Sequence, residues 1–154
     1  MATRCGRPAG RGRDAVAAGP AGDVLSFLVG NTDHHAKNTS FLRYENGEVR
    51  LAPAYDIGAH LHHRGPHRFA LDIAGRRDVE DVTVLHVVDE IVSWNVDRDR
   101  AVAAVVDVAA DLRAALGDVD RSRHPGVSRT AWTLLDSRSD DAERLLAGLS
   151  APGH

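Results

Sequence analysis

Apolar residues recur at helical spacing through the second half of the chain, and this pattern predicts a largely helical protein. Thr83 can cap the first helix, and we expect Trp94 to close the buried face of that helix. The longest helix should begin after Asp97 or Asp99, end at Gly117 and lie at the centre of the core. The predicted helices run from Thr83 to about Trp94, over Arg100–Leu116, over Val127–Leu135 and over Asp140–Leu149, the last capped by Ser139 with Leu145, Leu146 and Leu149 inward.

The first half of the chain carries signals for shorter elements. An apolar stretch at Leu25–Val29 ends at Gly30 and is followed by a polar loop. Asn46-Gly47 lies between two short apolar segments, which is a strong signal for a β-hairpin. Arg68–Ile73 alternates apolar and polar residues and predicts another short strand. The predicted fold class is therefore α+β and mainly helical.

The composition is that of one soluble globular domain. Of its 154 residues, 43% are hydrophobic and 27% are charged, which is enough to bury a single core. The formal net charge of −3 argues against direct nucleic-acid binding and against membrane binding. No apolar run approaches the roughly 20 residues that span a bilayer. The single cysteine, Cys5, excludes an internal disulfide, and we expect a cytoplasmic protein.

The N-terminal segment differs in composition from the rest of the chain. Residues 1–22 are rich in Arg, Gly, Ala and Pro, lack apolar periodicity and are predicted to be disordered. The folded domain is expected over residues 23–150. A frayed tail is expected over residues 151–154.

Two stretches, Gly30–Asn38 and Leu51–Ile57, carry the candidate chemistry. Asp33 is followed five positions later by Asn38, and Asp56 comes after the predicted hairpin. Phosphoryl transfer uses this layout, because one group must orient the acceptor hydroxyl while oxygen ligands hold magnesium on the nucleotide phosphates. Mg²⁺ keeps several waters and needs few protein oxygens beside phosphate. Asp33 is the candidate for the first task, and Asn38 and Asp56 are the candidates for the second.

The string Gly-Asn-Thr-Asp-His-His-Ala-Lys-Asn at 30–38 resembles the catalytic loop of the HipA-like serine/threonine kinases of bacterial toxin–antitoxin systems. The string Leu-Ala-Pro-Ala-Tyr-Asp-Ile at 51–57 resembles the metal-binding segment of that family. The resemblance implies that Asp33 is the catalytic proton acceptor and that Asn38 and Asp56 hold the metal. The nucleotide contacts that it implies are those of His35, Ala36, Lys37, Asn38, Tyr55 and Asp56.

The same resemblance implies a protein-kinase-like C-terminal lobe with a catalytic loop, a short β-hairpin and a helical bundle. The implied activity is transfer of phosphate to a Ser or Thr hydroxyl of a protein, with ATP and Mg²⁺ as cofactors. The implied partners are ATP, the protein substrate and a small DNA-binding antitoxin of the HipB type. A complete kinase also needs an N-terminal lobe with a glycine-rich loop and a lysine paired to a glutamate. We expect this chain to lack that lobe and to be inactive alone.

Two other hypotheses stay open. An inert kinase remnant, or one that only binds a partner, would carry the motifs without transferring phosphate. Asp33-His34-His35 also resembles the Asp-His-His signature of phosphoesterases, which activate water with two metal ions. That chemistry needs an upstream Asp-x-Asp pair, whereas Asp14 and Asp23 are the acids that precede Asp33, and neither is in such a pair.

A group of histidines follows Asp56 in the sequence, consisting of His60, His62, His63 and His67. Neutral imidazoles are good ligands for zinc, copper and nickel. Gly65-Pro66 interrupts this segment, and no acid or cysteine completes a tetrahedral set. We therefore interpret the histidines as a solvated loop or as a contact for the protein substrate. His34 is interpreted as a spectator, and His86 as a helical residue outside the site.

Overall fold

Four α-helices form the core of this computed structural model within the residues that it describes, 13–65 and 67–147, with side chains from residue 21 onward. Every pair of these helices is in contact. None of the described helices is both long and apolar enough to cross a bilayer. The helices are α1 (Arg13–Val29), α2 (Val84–Ser93), α3 (Arg98–Asp118) and α4 (Arg129–Ala147). The largest fully buried apolar side chains are Val24, Leu28, Val88, Ile91, Val105 and Leu146.

Two small antiparallel hairpins stand beside the helices, so the predicted α+β, mainly helical fold is confirmed. The strands are β1 (Phe41–Arg43), β2 (Val49–Leu51), β3 (Arg68–Ile73) and β4 (Arg76–Asp78). β1 pairs with β2 across the predicted Asn46-Gly47 turn, with Phe41 opposite Leu51. The predicted strand at 68–73 is also present. Its partner β4 was not predicted, because three polar residues carry no apolar alternation.

The predicted cap of α2 is confirmed. The Thr83 side chain accepts from the main-chain N–H of His86, while the Thr83 main-chain N–H donates to His86 Nδ1 at 3.0 Å. Of the two candidate caps of α3, Asp97 is the one used, because its carboxylate accepts from the N–H groups of Asp99 and Arg100. α3 buries Ala101, Val105 and Ala109 and continues past Gly117 to Asp118.

Several of the helix predictions are wrong. Trp94 is 46% exposed, because its indole N–H donates to Glu90 Oε1 at 3.1 Å and so holds the ring beside α2, toward the surface. Residues 127–149 do not form two helices, since α4 is continuous from Arg129 to Ala147. Its polar middle is held in the helix packing because Arg138 donates to carbonyls of α1, and Arg113 of α3 pairs with Asp140 and Glu143. Leu145 is exposed, and Leu149 lies outside the described residues.

The N-terminal prediction needs a correction for part of its range. Residues 13–22 belong to α1 and are helical, whereas the sequence predicted disorder there. A helix held by packing along its later turns can extend into a segment that has no apolar pattern of its own, because propagation is easier than nucleation. Residues 1–12 and 151–154 lie outside the described residues.

Candidate active site

The loop that carries Asp33 begins at the C-terminal end of α1. The N–H of Gly30 donates to the Phe27 carbonyl at 3.0 Å, and the N–H of Asn31 donates to the Ser26 carbonyl at 2.8 Å. This pair of bonds, with Gly30 at φ 71°, is a Schellman ending. A Cβ on Gly30 would lie 2.4 Å from Leu61 Cδ1, so both the backbone angle and the packing require glycine at this position.

The side chain of Asn31 joins the two acidic motifs. Asn31 is 1% exposed. Its Oδ1 accepts from the main-chain N–H of Asp33 at 3.2 Å, and its Nδ2 donates to the main-chain carbonyl of Asp56 at 3.1 Å. A buried amide with both ends bonded fixes the relative position of the two backbones that it contacts. The predicted return of Asp56 to the loop of Asp33 is therefore present in the backbone.

Asn38 holds Asp33 from the other side. It is buried at 8% exposure in a short 3₁₀ turn, Ala36–Asn38, and its Nδ2 donates to the main-chain carbonyl of Asp33 at 3.3 Å. A carbonyl can only accept, so the amide nitrogen must face Asp33 and Oδ1 must face away from it. Oδ1 makes no hydrogen bond within the described residues and is the atom of Asn38 that is free to bind a cation.

Further hydrogen bonds connect the loop to the segment around Asp56. The Tyr55 hydroxyl donates to the main-chain carbonyl of Lys37 at 2.7 Å. Thr32 Oγ1 lies 3.2 Å from His60 Nδ1, and the main-chain N–H of His60 donates to the Gly30 carbonyl at 3.2 Å. The two stretches that the sequence singled out thus form one structural unit.

The carboxylates of Asp33 and Asp56 are exposed and make no hydrogen bond within the part of the chain that the structure describes. Asp56 has φ 57°, a left-handed backbone angle that aspartate tolerates better than most residues. Among the described residues, no group of three or more His, Cys, Asp or Glu side chains is arranged to hold a metal ion. One amide oxygen and one carboxylate fit magnesium that is also bound by phosphate oxygens, because Mg²⁺ keeps several non-protein ligands.

The remaining predicted nucleotide contacts differ in their surroundings. Ala36 and Lys37 are exposed. His35 is partly buried, and its Nδ1 has no hydrogen-bond partner within the described residues. Tyr55 is 43% exposed and is oriented by its bond to the Lys37 carbonyl. Ala36, Lys37 and Tyr55 are therefore open to a ligand from solvent, whereas His35 is only partly so.

Several histidines have partners that the sequence did not suggest. His34, interpreted as a spectator, has Nε2 2.6 Å from Asp23 Oδ1 and links the loop to α1. His60 contacts the loop through Thr32, whereas the rings of His62 and His63 lie against each other with centroids 4.0 Å apart. His60 therefore differs in its surroundings from His62 and His63, and no three of the histidines after Asp56 are grouped to hold a metal ion within the described residues.

Arg138 of α4 is a residue of this region that sequence analysis missed. Its Nε donates to the Leu28 carbonyl at 3.0 Å, and its Nη2 donates to the Phe27 carbonyl at 2.6 Å. The guanidinium also lies 4.8 Å from the centre of the Phe27 ring. Burial lowers the pKa of Arg138 from its ordinary value, and the charge of Asp141 partly opposes this. A cation on the last carbonyls of α1 stabilises the helix end from which the loop departs.

Comparison with known proteins gives a family match and a structural match. The model of the HipA-like C-terminal domain family matches residues 8–116. No curated protein sequence matches the chain. A chain of the solved Shewanella oneidensis MR-1 toxin–antitoxin complex of HipA, HipB and operator DNA has a similar fold, with a TM-score of 0.62 at 16% sequence identity. The alignment covers 84% of this chain and 30% of that chain, so this chain spans less than a third of its length.

Proposed function

The chain belongs to the family of HipA-like C-terminal domains, and on this premise we propose that it carries the catalytic loop and metal-binding segment of a HipA-type protein serine/threonine kinase. The proposed reaction is transfer of the terminal phosphate of ATP to a Ser or Thr hydroxyl of a protein. The chain supplies one half of the site. The clamp on the nucleotide is supplied by a part that corresponds to the rest of the HipA chain.

One observation carries this proposal: the main chain of Asp33 is held at both of its hydrogen-bonding groups by buried asparagine side chains. Asn31 accepts from its N–H and Asn38 donates to its carbonyl, while the carboxylate itself stays exposed. A group that must meet a substrate hydroxyl within hydrogen-bond reach benefits from a fixed backbone and a free side chain. A turn-forming acid without a catalytic task has no need of two buried supports.

The remaining residues take the tasks that the resemblance assigns. Asp33 orients the acceptor hydroxyl and accepts its proton. Oδ1 of Asn38 and the carboxylate of Asp56 would hold magnesium, which would neutralise charge on the phosphates. His35, Ala36, Lys37 and Tyr55 contact the nucleotide. The solved complex contains HipA with HipB and operator DNA, and for this chain an antitoxin partner of that type is part of the proposal.

Isothermal titration of the purified chain with ATP, with and without Mg²⁺, tests the proposal. We expect weak binding that requires Mg²⁺ and that D56A abolishes, because a half-site without the clamp retains the phosphate–metal contacts. D107A is the matched control, since Asp107 is an exposed acid on α3 that makes no hydrogen bond or ion pair within the described residues. Absence of heat at millimolar nucleotide would contradict binding by this chain and favour the inert or partner-binding remnant.

A further inference from the structure

His60 has a position that neither the family match nor the proposed nucleotide contacts explain. It follows Asp56 by four residues, yet its ring reaches the loop of Asp33. Nδ1 lies 3.2 Å from Oγ1 of Thr32, the residue immediately before Asp33. Its main-chain N–H donates to the Gly30 carbonyl at 3.2 Å. His60 therefore contacts the loop twice, once through its backbone and once through its ring.

The space around His60 is shaped to allow this contact. A Cβ on Gly58 would lie 2.6 Å from His60 Nε2, closer than real Cβ atoms come to their neighbours. The absence of a side chain at Gly58 therefore leaves room for the ring in the orientation that faces Thr32. On the other side, Leu61 occupies the space where Gly30 lacks a Cβ, with Leu61 Cδ1 2.4 Å from that position. The segment 58–61 thus fits closely against the loop.

Thr32 is itself anchored to a third element. Its main-chain carbonyl accepts from the N–H of Ala70 in β3 at 3.0 Å. The ring of His60 therefore binds a residue whose backbone is already fixed by the second hairpin. A hydrogen bond to a fixed partner can hold an irregular segment in place, and the segment after Asp56 forms no helix or strand between 52 and 65.

We propose that His60 is a positioning residue that couples the metal-binding segment of Asp56 to the catalytic loop of Asp33 through Thr32. The inference rests on the proposed function, because that function assigns catalysis to Asp33 and metal binding to Asp56. It assigns no contact between His60 and substrate or nucleotide. When the His60–Thr32 bond is absent, the segment after Asp56 opens more often, and Asp56 is less often in place to bind magnesium with Asn38.

Substitutions at position 60 separate the hydrogen bond from the volume of the ring. H60N places an amide atom near the position of Nδ1, whereas H60Q extends its amide toward the position of Nε2. The first measurement is the protection factor of the amide at position 60 in native-state hydrogen exchange, which needs no nucleotide. We expect H60N to stay close to the unsubstituted protein and H60Q to lose protection about fivefold, the effect of losing one hydrogen bond.

A second pair of variants moves the ring without removing it. G58A should displace the imidazole from Thr32 and lower the same protection factor, and H60N in the G58A background should restore it because the shorter side chain avoids the new methyl group. G126A is the control, because nothing lies within 4 Å of a Cβ at Gly126. Equal protection in H60N and H60Q, or failure of H60N to rescue G58A, would overturn the proposal.

Magnesium-dependent ATP binding, measured on the same variants, separates this inference from the proposed function. We expect affinity to follow the protection factors, with H60Q and G58A weaker than H60N by about the same factor. If the unsubstituted chain binds no nucleotide while the protection pattern holds, the proposed function fails for this chain and the coupling stands. If nucleotide binds equally to all variants, the positioning by His60 is refuted and the proposed function stands.

Discussion

The side-chain amide of Asn31 donates a hydrogen bond to the main-chain carbonyl of Asp56 at 3.1 Å, across 25 residues of sequence. The other end of the same amide accepts from the N–H of Asp33. The two hydrogen bonds of this buried side chain therefore fix the distance between the backbone of Asp33, the proposed catalytic acid, and that of Asp56, the proposed metal ligand. This makes Asn31 a support of the site, and the proposed function assigns it no contact with substrate or metal.

Replacing Asn31 by aspartate should be strongly destabilising. N31D keeps the acceptor for the Asp33 N–H but turns a donor into an oxygen that faces the Asp56 carbonyl, in a place that water does not reach. We expect the free energy of unfolding to fall by about 2–4 kcal/mol, as for a buried polar contact with one partner removed. Urea denaturation followed by circular dichroism measures this.

The matched control for that prediction is N46D in the first hairpin. Asn46 Oδ1 accepts from the Glu48 N–H at 3.0 Å in an exposed turn, and aspartate keeps this bond. N46D should stay within about 0.5 kcal/mol of the unsubstituted protein. Equal midpoints for N31D and N46D would show that the amide of Asn31 does not bridge the two motifs.

Substitutions of Asp33 and Asp56 should have different effects on nucleotide affinity. D56N removes a carboxylate from magnesium, so metal-dependent ATP affinity should fall about tenfold or more. D33N leaves both proposed metal ligands in place and should change affinity by no more than about twofold, while abolishing phosphate transfer in any assembly that carries it out. Calorimetric titration compares the two variants, with D107N as the control. A larger loss in D33N than in D56N would reverse the assigned tasks.

The turn between β3 and β4 offers a test of the fold away from the site. Ile73 pairs with Arg76, and the two residues between them, Ala74 and Gly75, have φ of 48° and 76°. Positive φ at both central positions is the type I′ geometry, in which asparagine is favoured over alanine at the first position. We expect A74N to raise the free energy of unfolding by about 0.5–1 kcal/mol.

Alanine-to-asparagine substitution at an exposed helical position is the control for A74N in the turn. Ala110 lies on the exposed side of α3, where asparagine is a weaker helix former than alanine. A110N should therefore lower stability by about 0.5 kcal/mol. If thermal denaturation finds A74N and A110N shifted in the same direction, the left-handed conformation of Ala74 is not present in solution.

The sequence predicted the features of the fold that depend on local pattern. The Asn46-Gly47 hairpin and the cap at Thr83 follow from residues close to each other, and the return of Asp56 toward Asp33 follows from the hairpin between them. The buried middle of α4 could not be predicted, because Ser139 is polar yet buried and Arg138 has its partners on α1, far away in the sequence. The bond of Asn31 to Asp56 and that of His60 to Thr32 were equally hidden, since the partners lie 25 and 28 residues apart in the sequence.

Substituting Arg138 tests whether α4, which lies outside the family match, supports the loop of Asp33. The matched region ends at residue 116, yet Arg138 donates to the carbonyls of Phe27 and Leu28, immediately before the loop begins. R138M removes both bonds and the cation at the end of α1, and should lower the free energy of unfolding by about 2–4 kcal/mol. R138K should recover part of this, because an ammonium cannot reproduce the two-pronged contact.

R144M is the control on the same helix, because the Arg144 side chain is 75% exposed and its pairing with Asp141 is a surface contact. It should change stability by no more than about 0.5 kcal/mol. Amide exchange at Gly30 and Asn31 adds a local measurement, since their N–H groups close the end of α1. Loss of protection there in R138M but not in R144M is the expected result. Equal behaviour of the two variants would mean that α4 packs on α1 without holding the start of the catalytic loop.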